Sequence, residues 1–128
     1  MNTSRFANIV AWLATVVFGG GGLWALIGPQ SFYESVALFE PYNQHFLQDI
    51  GAFQIGLASI LVLALLDTTA DALSIALLGG GIASIAHTVS HVVGRDLGGT
   101  PETDIPTLAI LGGLMLAAGV LRRSARVQ

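Results

Sequence analysis

Four long segments of this chain are nearly free of charged side chains, over about residues 6–27, 46–66, 72–94 and 105–122. Each is close to the ~17–25 residues that an α-helix needs to cross the hydrocarbon core of a bilayer. Lipid offers no hydrogen-bond partners, so a backbone that crosses it must satisfy its own amides, as a helix does. The pattern therefore predicts an all-α integral membrane protein, a single four-helix bundle that occupies the whole chain of 128 residues.

The composition supports this prediction and narrows the function. Charged residues make up 10% of the chain, against ~25% in typical soluble proteins, and the mean hydropathy is +0.73. The chain has no cysteine, which excludes disulfides, thiolate metal sites and cysteine nucleophiles. It has no lysine, and its formal net charge of −3 argues against a nucleic-acid partner. The expected partner is the lipid bilayer.

The arginines predict the orientation of the bundle. Arg5 precedes the first span, and Arg122, Arg123 and Arg126 follow the last. An even number of spans places both termini on one side, and positive charges beside spans favour the cytoplasm. We therefore expect a multi-pass plasma-membrane protein with both termini cytoplasmic. The first apolar run exceeds the ~7–15 residues of a signal-peptide core, so we expect it to be retained as a span.

The two longer connections are expected on the outer side. The segment after the first span is rich in aromatic residues, which is typical of the headgroup zone. Within it, residues 31–39 are predicted to form a short helix lying in the membrane interface. Residues 95–104, before the last span, are predicted to form a polar loop.

The candidate chemistry lies at the outer ends of the two middle spans. His45 and Asp49 stand four residues apart at the start of the second span, and His87 and His91 stand four apart near the end of the third. Residues four apart share one face of a helix. Consecutive spans run in opposite directions, so all four side chains are expected at a similar depth, on helices predicted to be neighbours.

Small residues extend both candidate faces. The face of His45 and Asp49 continues through Ala52, Gly56 and Ser59, and the face of His87 and His91 continues back through Ser84 and Gly80. Small, weakly polar residues are typical of helix–helix contacts in membranes. Both faces are therefore predicted to look into the bundle.

Several kinds of chemistry suit three imidazoles and one carboxylate. They can complete a tetrahedral zinc site, or leave coordination positions open on iron or copper. Two histidines from opposite helices can instead ligate a haem iron axially. In a metal-free cluster, His and Asp exchange protons. A structural alternative is that Asp49 bonds to His87 or Arg95 and locks two helices together. Asp96 and Asp104 fall in the predicted flexible loop and are left outside the site.

The order of sequence features along the whole chain indicates a family resemblance. Glycines 19–22 lie in the first span, Gly28-Pro29 ends it, aromatic residues follow over 32–42, and residues 48–56 open the second span with polar and glycine residues. This layout resembles the small DoxX-like bacterial membrane proteins. The resemblance implies a compact four-helix bundle linked to quinone-coupled sulfur oxidation or to a larger oxidoreductase assembly. It implies no site residues, because the His87–His91 pair matches no motif of that family.

Two functions are therefore predicted. In the first, an outer-leaflet site of His45, Asp49, His87 and His91 binds a metal or redox cofactor, or handles protons, in conjunction with a quinone or another lipid-soluble substrate. In the second, the protein is a non-catalytic accessory subunit of a larger membrane complex of respiratory or oxidoreductase type. A stripe of small residues in the last span, Ala109, Gly113 and Ala117, is predicted to pack tightly against another helix. Homo-oligomers are also open.

Overall fold

The computed structural model describes residues 3–67 and 71–125, and within them the chain is all-α. The helices are α1 (Thr3–Ile27), α2 (Pro29–Phe32), α3 (Gln44–Leu66), α4 (Ala72–Val93) and α5 (Pro101–Ser124). All but the short α2 are long and apolar enough to cross a membrane. This confirms the four predicted spans as helices. Their insertion and orientation stay predictions, and Arg126 and residues 68–70, between α3 and α4, lie outside the described residues.

Three of the helices, α1, α3 and α5, begin slightly earlier than the predicted spans, and α4 begins where predicted. The side chain of Asn43 caps α3 by accepting a hydrogen bond from the Phe46 amide at 3.0 Å. In α5, Pro101 occupies the first turn, where its missing N–H costs nothing, and Glu102 and Asp104 in that turn complement the helix dipole. The residues read as the end of a polar loop therefore belong to α5.

The long helices associate mainly as two antiparallel pairs. In the first pair α3 lies along α1, where a Cβ placed on Gly22 would come within 2.8 Å of the Gly51 carbonyl oxygen. In the second pair α5 lies along α4, where a Cβ on Gly112 would come within 2.9 Å of Ile85. The Ser74 hydroxyl also donates to the Gly119 carbonyl at 2.9 Å. Small residues thus permit close backbone approach in both pairs.

The two pairs share one apolar core, to which all four long helices contribute. Its buried residues include Ala11 of α1, Leu61 of α3, Leu77 of α4 and Met115 of α5. Within it, α1 packs against α5, whereas α3 and α4 pack only lightly against each other. The sequence-based expectation that α3 and α4 are close neighbours is therefore wrong over most of their length, because each is held by a different helix.

The predicted small-residue stripe of the last span is not the face that packs within the chain. Gly113 and Ala117 are exposed, and nothing lies within 4 Å of a Cβ placed on Gly113. The contact with α4 uses Gly112, Met115 and Gly119 instead. Small residues occupy two faces of α5, and the sequence pattern alone did not distinguish them.

The segment 28–43 and the loop 94–100 lie at one end of the bundle, here called the cap end. The short helix predicted over residues 31–39 is present in altered form: α2 runs into a π-helical turn, Tyr33–Ala37, which ends at Leu38 with φ of 45°. Its place in the membrane interface stays a prediction. Gly98 and Gly99 adopt positive φ, 130° and 78°, which favours glycine at both positions. The Gly99 amide donates to the Leu38 carbonyl at 3.4 Å and joins the two parts of the cap end.

Candidate functional site

The first predicted pair lies on the first two turns of α3. The Nε2 atom of His45 is 3.5 Å from Oδ2 of Asp49, as the four-residue spacing predicts. The side chains are 86% and 54% exposed, respectively. Ala52, Gly56 and Ser59, which extend this face, are exposed as well. The prediction that this face looks into the bundle is therefore wrong for a single chain.

The second predicted pair lies on the last two turns of α4. The Nε2 atoms of His87 and His91 face each other at 3.2 Å, and the ring centroids are 4.8 Å apart. Ser84 and Gly80, which extend this face, are buried as predicted, but His87 itself is exposed. The α4 pair thus has two ring nitrogens directed at one point on an accessible surface.

Asp104, in the first turn of α5, lies next to His91 of this pair. Its Oδ2 atom lies 3.8 Å from Nδ1 of His91 and accepts a hydrogen bond from the Thr100 amide at 2.7 Å. The His91 and Asp104 side chains are only 27% and 20% exposed. Sequence reasoning left Asp104 out because it assigned the residue to a flexible loop. The Thr100-Pro101 helix start was the signal that places Asp104 on an ordered helix.

The structure forms both predicted pairs but does not join them. Among residues 3–67 and 71–125, no group of three or more His, Cys, Asp or Glu side chains lies close enough to hold a metal ion. The cause is the packing of α3 on α1 and of α4 on α5, which leaves α3 and α4 in light contact. The four-residue site of His45, Asp49, His87 and His91 stays a prediction.

A cleft lies between α3 and α4, with Phe18 of α1 also lining it. Its volume is about 620 Å³, and its lining is almost entirely apolar. The α3 wall includes Ile60 and Asp67, and the α4 wall includes Ala76 and Gly79. These lining residues lie in the half of each helix that is farther from the cap end. The cleft is therefore separate from the histidines, although it is accessible from the side of the bundle.

The cap end also holds a tyrosine–carboxylate pair outside the spans. The Tyr33 hydroxyl donates to Oε1 of Glu40 at 2.6 Å. This hydrogen bond, with smaller effects from burial and from the charges of Glu40 and Glu34, raises the pKa of Tyr33 above its usual 10.0. Edge-to-face contacts with Phe39 and Tyr42, at 5.9 and 5.0 Å between ring centroids, hold the phenol in place.

We expect Tyr33 to ionise above pH 10.0 in the folded protein. Because the folded pKa is raised, the hydrogen bond to Glu40 contributes stability below pH 10.0 and is lost as the pH rises through the folded pKa. Ultraviolet titration of tyrosinate measures this directly. Glu40→Gln should move the ionisation of Tyr33 to lower pH, and Tyr33→Phe identifies its transition. An unchanged titration in Glu40→Gln would contradict the assignment.

Comparison with known proteins adds no family to these observations. No family model matches the chain, and neither a curated protein nor a solved structure matches it. The resemblance to DoxX-like proteins therefore stays a prediction.

Proposed function

We propose that this protein is a multi-pass membrane protein that binds a divalent transition metal ion at its cap end, through His87 and His91. The observation that carries the proposal is the 3.2 Å separation of the two Nε2 atoms. Two metal–nitrogen bonds of ~2.0–2.1 Å at a tetrahedral angle place their nitrogens about 3.3 Å apart. An N–H···N hydrogen bond holds the rings at the same distance without metal, so little rearrangement is needed for binding.

The surroundings of His91 support the proposal. Histidines that ligate metals usually direct their second ring nitrogen at a carboxylate or carbonyl, which fixes the ring and raises its basicity. His91 has Nε2 facing His87 and Nδ1 facing the carboxylate of Asp104. Asp104 is held in turn by the Thr100 amide. The proposed roles are metal ligands for the two histidines and a positioning role for Asp104.

The donor set indicates the class of metal. Imidazole nitrogen suits zinc, copper, iron and nickel, whereas magnesium and calcium prefer oxygen. Thiolate ligands are absent because the chain has no cysteine. The remaining coordination positions are open to water, to other side chains or to a substrate. With Arg5, Arg122 and Arg123 on the cytoplasmic side, the site lies at the outer leaflet.

Titration with Zn²⁺ tests the proposal. In protein reconstituted into nanodiscs, we expect His87→Ala and His91→Ala each to weaken Zn²⁺ binding at least tenfold, because one of two converging ligands is lost. Ser90→Ala is the matched control, since the Ser90 hydroxyl on the same stretch of α4 donates only to the His87 carbonyl. Equal Zn²⁺ affinity in all four proteins, or no Zn²⁺ binding by the wild type, would contradict the proposal. A visible haem band in purified protein would replace it with a haem site.

The stripe Ala109, Gly113 and Ala117, in which Gly113 and Ala117 are exposed, favours a second candidate function, that of an accessory subunit. Small residues on an outward face of a transmembrane helix permit close packing of another helix. The exposed face of α5 thus suits attachment to a larger membrane complex. Extraction with native lipids discriminates between the metal-binding function and the accessory-subunit function. An accessory subunit co-migrates with other proteins, and Gly113→Leu should abolish that co-migration.

A further inference from the structure

Each pair of candidate ligands supplies two donor side chains, and the two pairs lie at the same level of the bundle. At 1.5 Å per residue, Asp49 lies about 8 Å along α3 from its first residue, and His87 lies about 9 Å along α4 from its last. Both helix ends are at the cap end. His45, Asp49 and His87 are exposed in the single chain. The α3 pair supplies one imidazole and one carboxylate, and the α4 pair supplies two imidazoles.

The packing of the helices within one chain keeps the His45–Asp49 pair apart from the His87–His91 pair. The cap-end half of α3 is fixed to α1, because Gly51 lies in backbone contact with α1: a Cβ there would come within 2.7 Å of the Gly22 carbonyl oxygen. The cap-end half of α4 is fixed to α5, because a Cβ on Gly112 would come within 3.1 Å of Ser84 Cβ. Within one chain, the two pairs therefore lie on helices that are packed against different partners.

The faces that carry the two pairs are also the faces that line the cleft between α3 and α4. On α3, helical spacing places Asp49 on one face with Ile60 and Asp67, both of which line the cleft. On α4, it places His87 on one face with Ala76 and Gly79, which line the other wall. One continuous surface, here called the α3–α4 surface, therefore combines an apolar cleft with both ligand pairs.

We infer that a second copy of this chain docks on the α3–α4 surface, so that His45 and Asp49 of each copy complete the metal site begun by His87 and His91 of the other. In a two-fold arrangement with parallel copies, α3 of one chain faces α4 of the other, and the reverse contact forms by symmetry. The charges are self-complementary, since the carboxylate of one copy meets the metal-bearing imidazoles of the other. The dimer holds two identical sites, each with three imidazoles and one carboxylate.

This inference rests on the proposed metal binding and adds the source of the missing ligands. Such a donor set suits tetrahedral zinc. Gly56 and Gly79 stand on the same surface, and nothing lies within 4 Å of a Cβ placed on either. Their position leaves room for close approach of the second copy.

Complementation between two defective chains tests the inference with Zn²⁺ as the probe. One chain carries His87→Ala and His91→Ala, the other carries His45→Ala and Asp49→Ala, and different tags select assemblies that contain both. In the mixed dimer, α3 of the first chain and α4 of the second form one intact site. We expect the mixed dimer to bind one Zn²⁺ per two chains, half of the wild-type ratio, with wild-type affinity. Either variant alone should bind Zn²⁺ weakly.

Three results would overturn the inference. If the doubly tagged assembly does not form, or if it binds no Zn²⁺ at wild-type affinity, the copies do not share a site. If the variant without His45 and Asp49 binds Zn²⁺ like the wild type on its own, the α3 pair is not a ligand, and the proposed function through His87 and His91 still stands. Failure of the wild type to bind Zn²⁺ is the separate result that removes the proposed function.

Disulfide cross-linking tests the contact itself, independently of metal. The chain has no native cysteine, so Gly56→Cys and Gly79→Cys can be placed on separately tagged chains. Both positions lie about 20 Å from the cap-end termini of their helices. We expect oxidation to give a cross-linked dimer. The control pairs Gly79→Cys with Gly113→Cys on the exposed face of α5, and equal cross-linking there would contradict the assigned surface.

Discussion

Gly22→Ala is expected to destabilise the bundle by about 1–3 kcal/mol, the usual cost of forcing atoms into a packed contact. A Cβ at this position would lie 2.8 Å from the Gly51 carbonyl oxygen and 3.1 Å from the Ile55 amide nitrogen. Both are backbone atoms of α3, so no side-chain rotation relieves the clash. The two helices must separate, and that loses contacts along the α1–α3 pair. Unfolding of the purified protein in detergent measures the effect.

Gly20→Ala is the control, two residues away on the same helix. Nothing lies within 4 Å of a Cβ at Gly20, and alanine is a better helix former than glycine by about 0.5–1 kcal/mol. Gly20→Ala should therefore leave stability unchanged or raise it. The two substitutions are identical in chemistry, and only Gly22→Ala is expected to lower stability. Equal effects of both on unfolding would show that α1 and α3 do not approach each other at Gly22.

Asp104→Asn is expected to lower the affinity for Zn²⁺ about 10–100-fold, the usual cost of removing a carboxylate that orients a metal-bound histidine. Asparagine keeps an oxygen that accepts the Thr100 amide, so the start of α5 is preserved, while the charge facing Nδ1 of His91 is lost. Competition with a chromophoric chelator measures the affinity.

Asp96→Asn serves as the control for the loss of negative charge, because Asp96 is an exposed acid of the loop 94–100. It should bind Zn²⁺ like the wild type. If Asp96→Asn weakens binding as much as Asp104→Asn does, the effect is one of net charge and not of a positioned carboxylate.

The elements of this fold were largely readable from the sequence, whereas the choice of packing partners was not. Long apolar runs leave few alternatives to spanning helices, so α1, α3, α4 and α5 appear where predicted, within a few residues. Their partners depend on which small residues approach which backbone. In α5 both Gly112 and Gly113 were available, and only Gly112 contacts α4. Adjacent glycines on a helix face directions about 100° apart, and an apolar sequence gives no polarity signal to separate them.

The contacts within each pair of candidate ligands could be predicted from the sequence, whereas the placement of one pair relative to the other could not. The spacing of four residues fixes the His45–Asp49 and His87–His91 contacts, because helix geometry alone determines them. Bringing the two pairs together required α3 and α4 to be close neighbours, and that expectation failed for the packing reason just given. Asp104 was excluded from the site because residues 95–104 were predicted to form a polar, flexible loop, although Pro101 after Thr100 marks the start of a helix.

X-ray absorption at the zinc edge, on protein in lipid nanodiscs, tests the central claim most directly because it identifies the atoms bonded to the metal. The proposed site predicts imidazole nitrogens at about 2.0–2.1 Å from zinc. Their characteristic outer-shell scattering should diminish in His87→Ala and diminish again when His91→Ala is added, which leaves at most the contribution of His45. A wild-type shell made of oxygen alone, or an imidazole signal that the double substitution does not reduce, would contradict metal binding by His87 and His91.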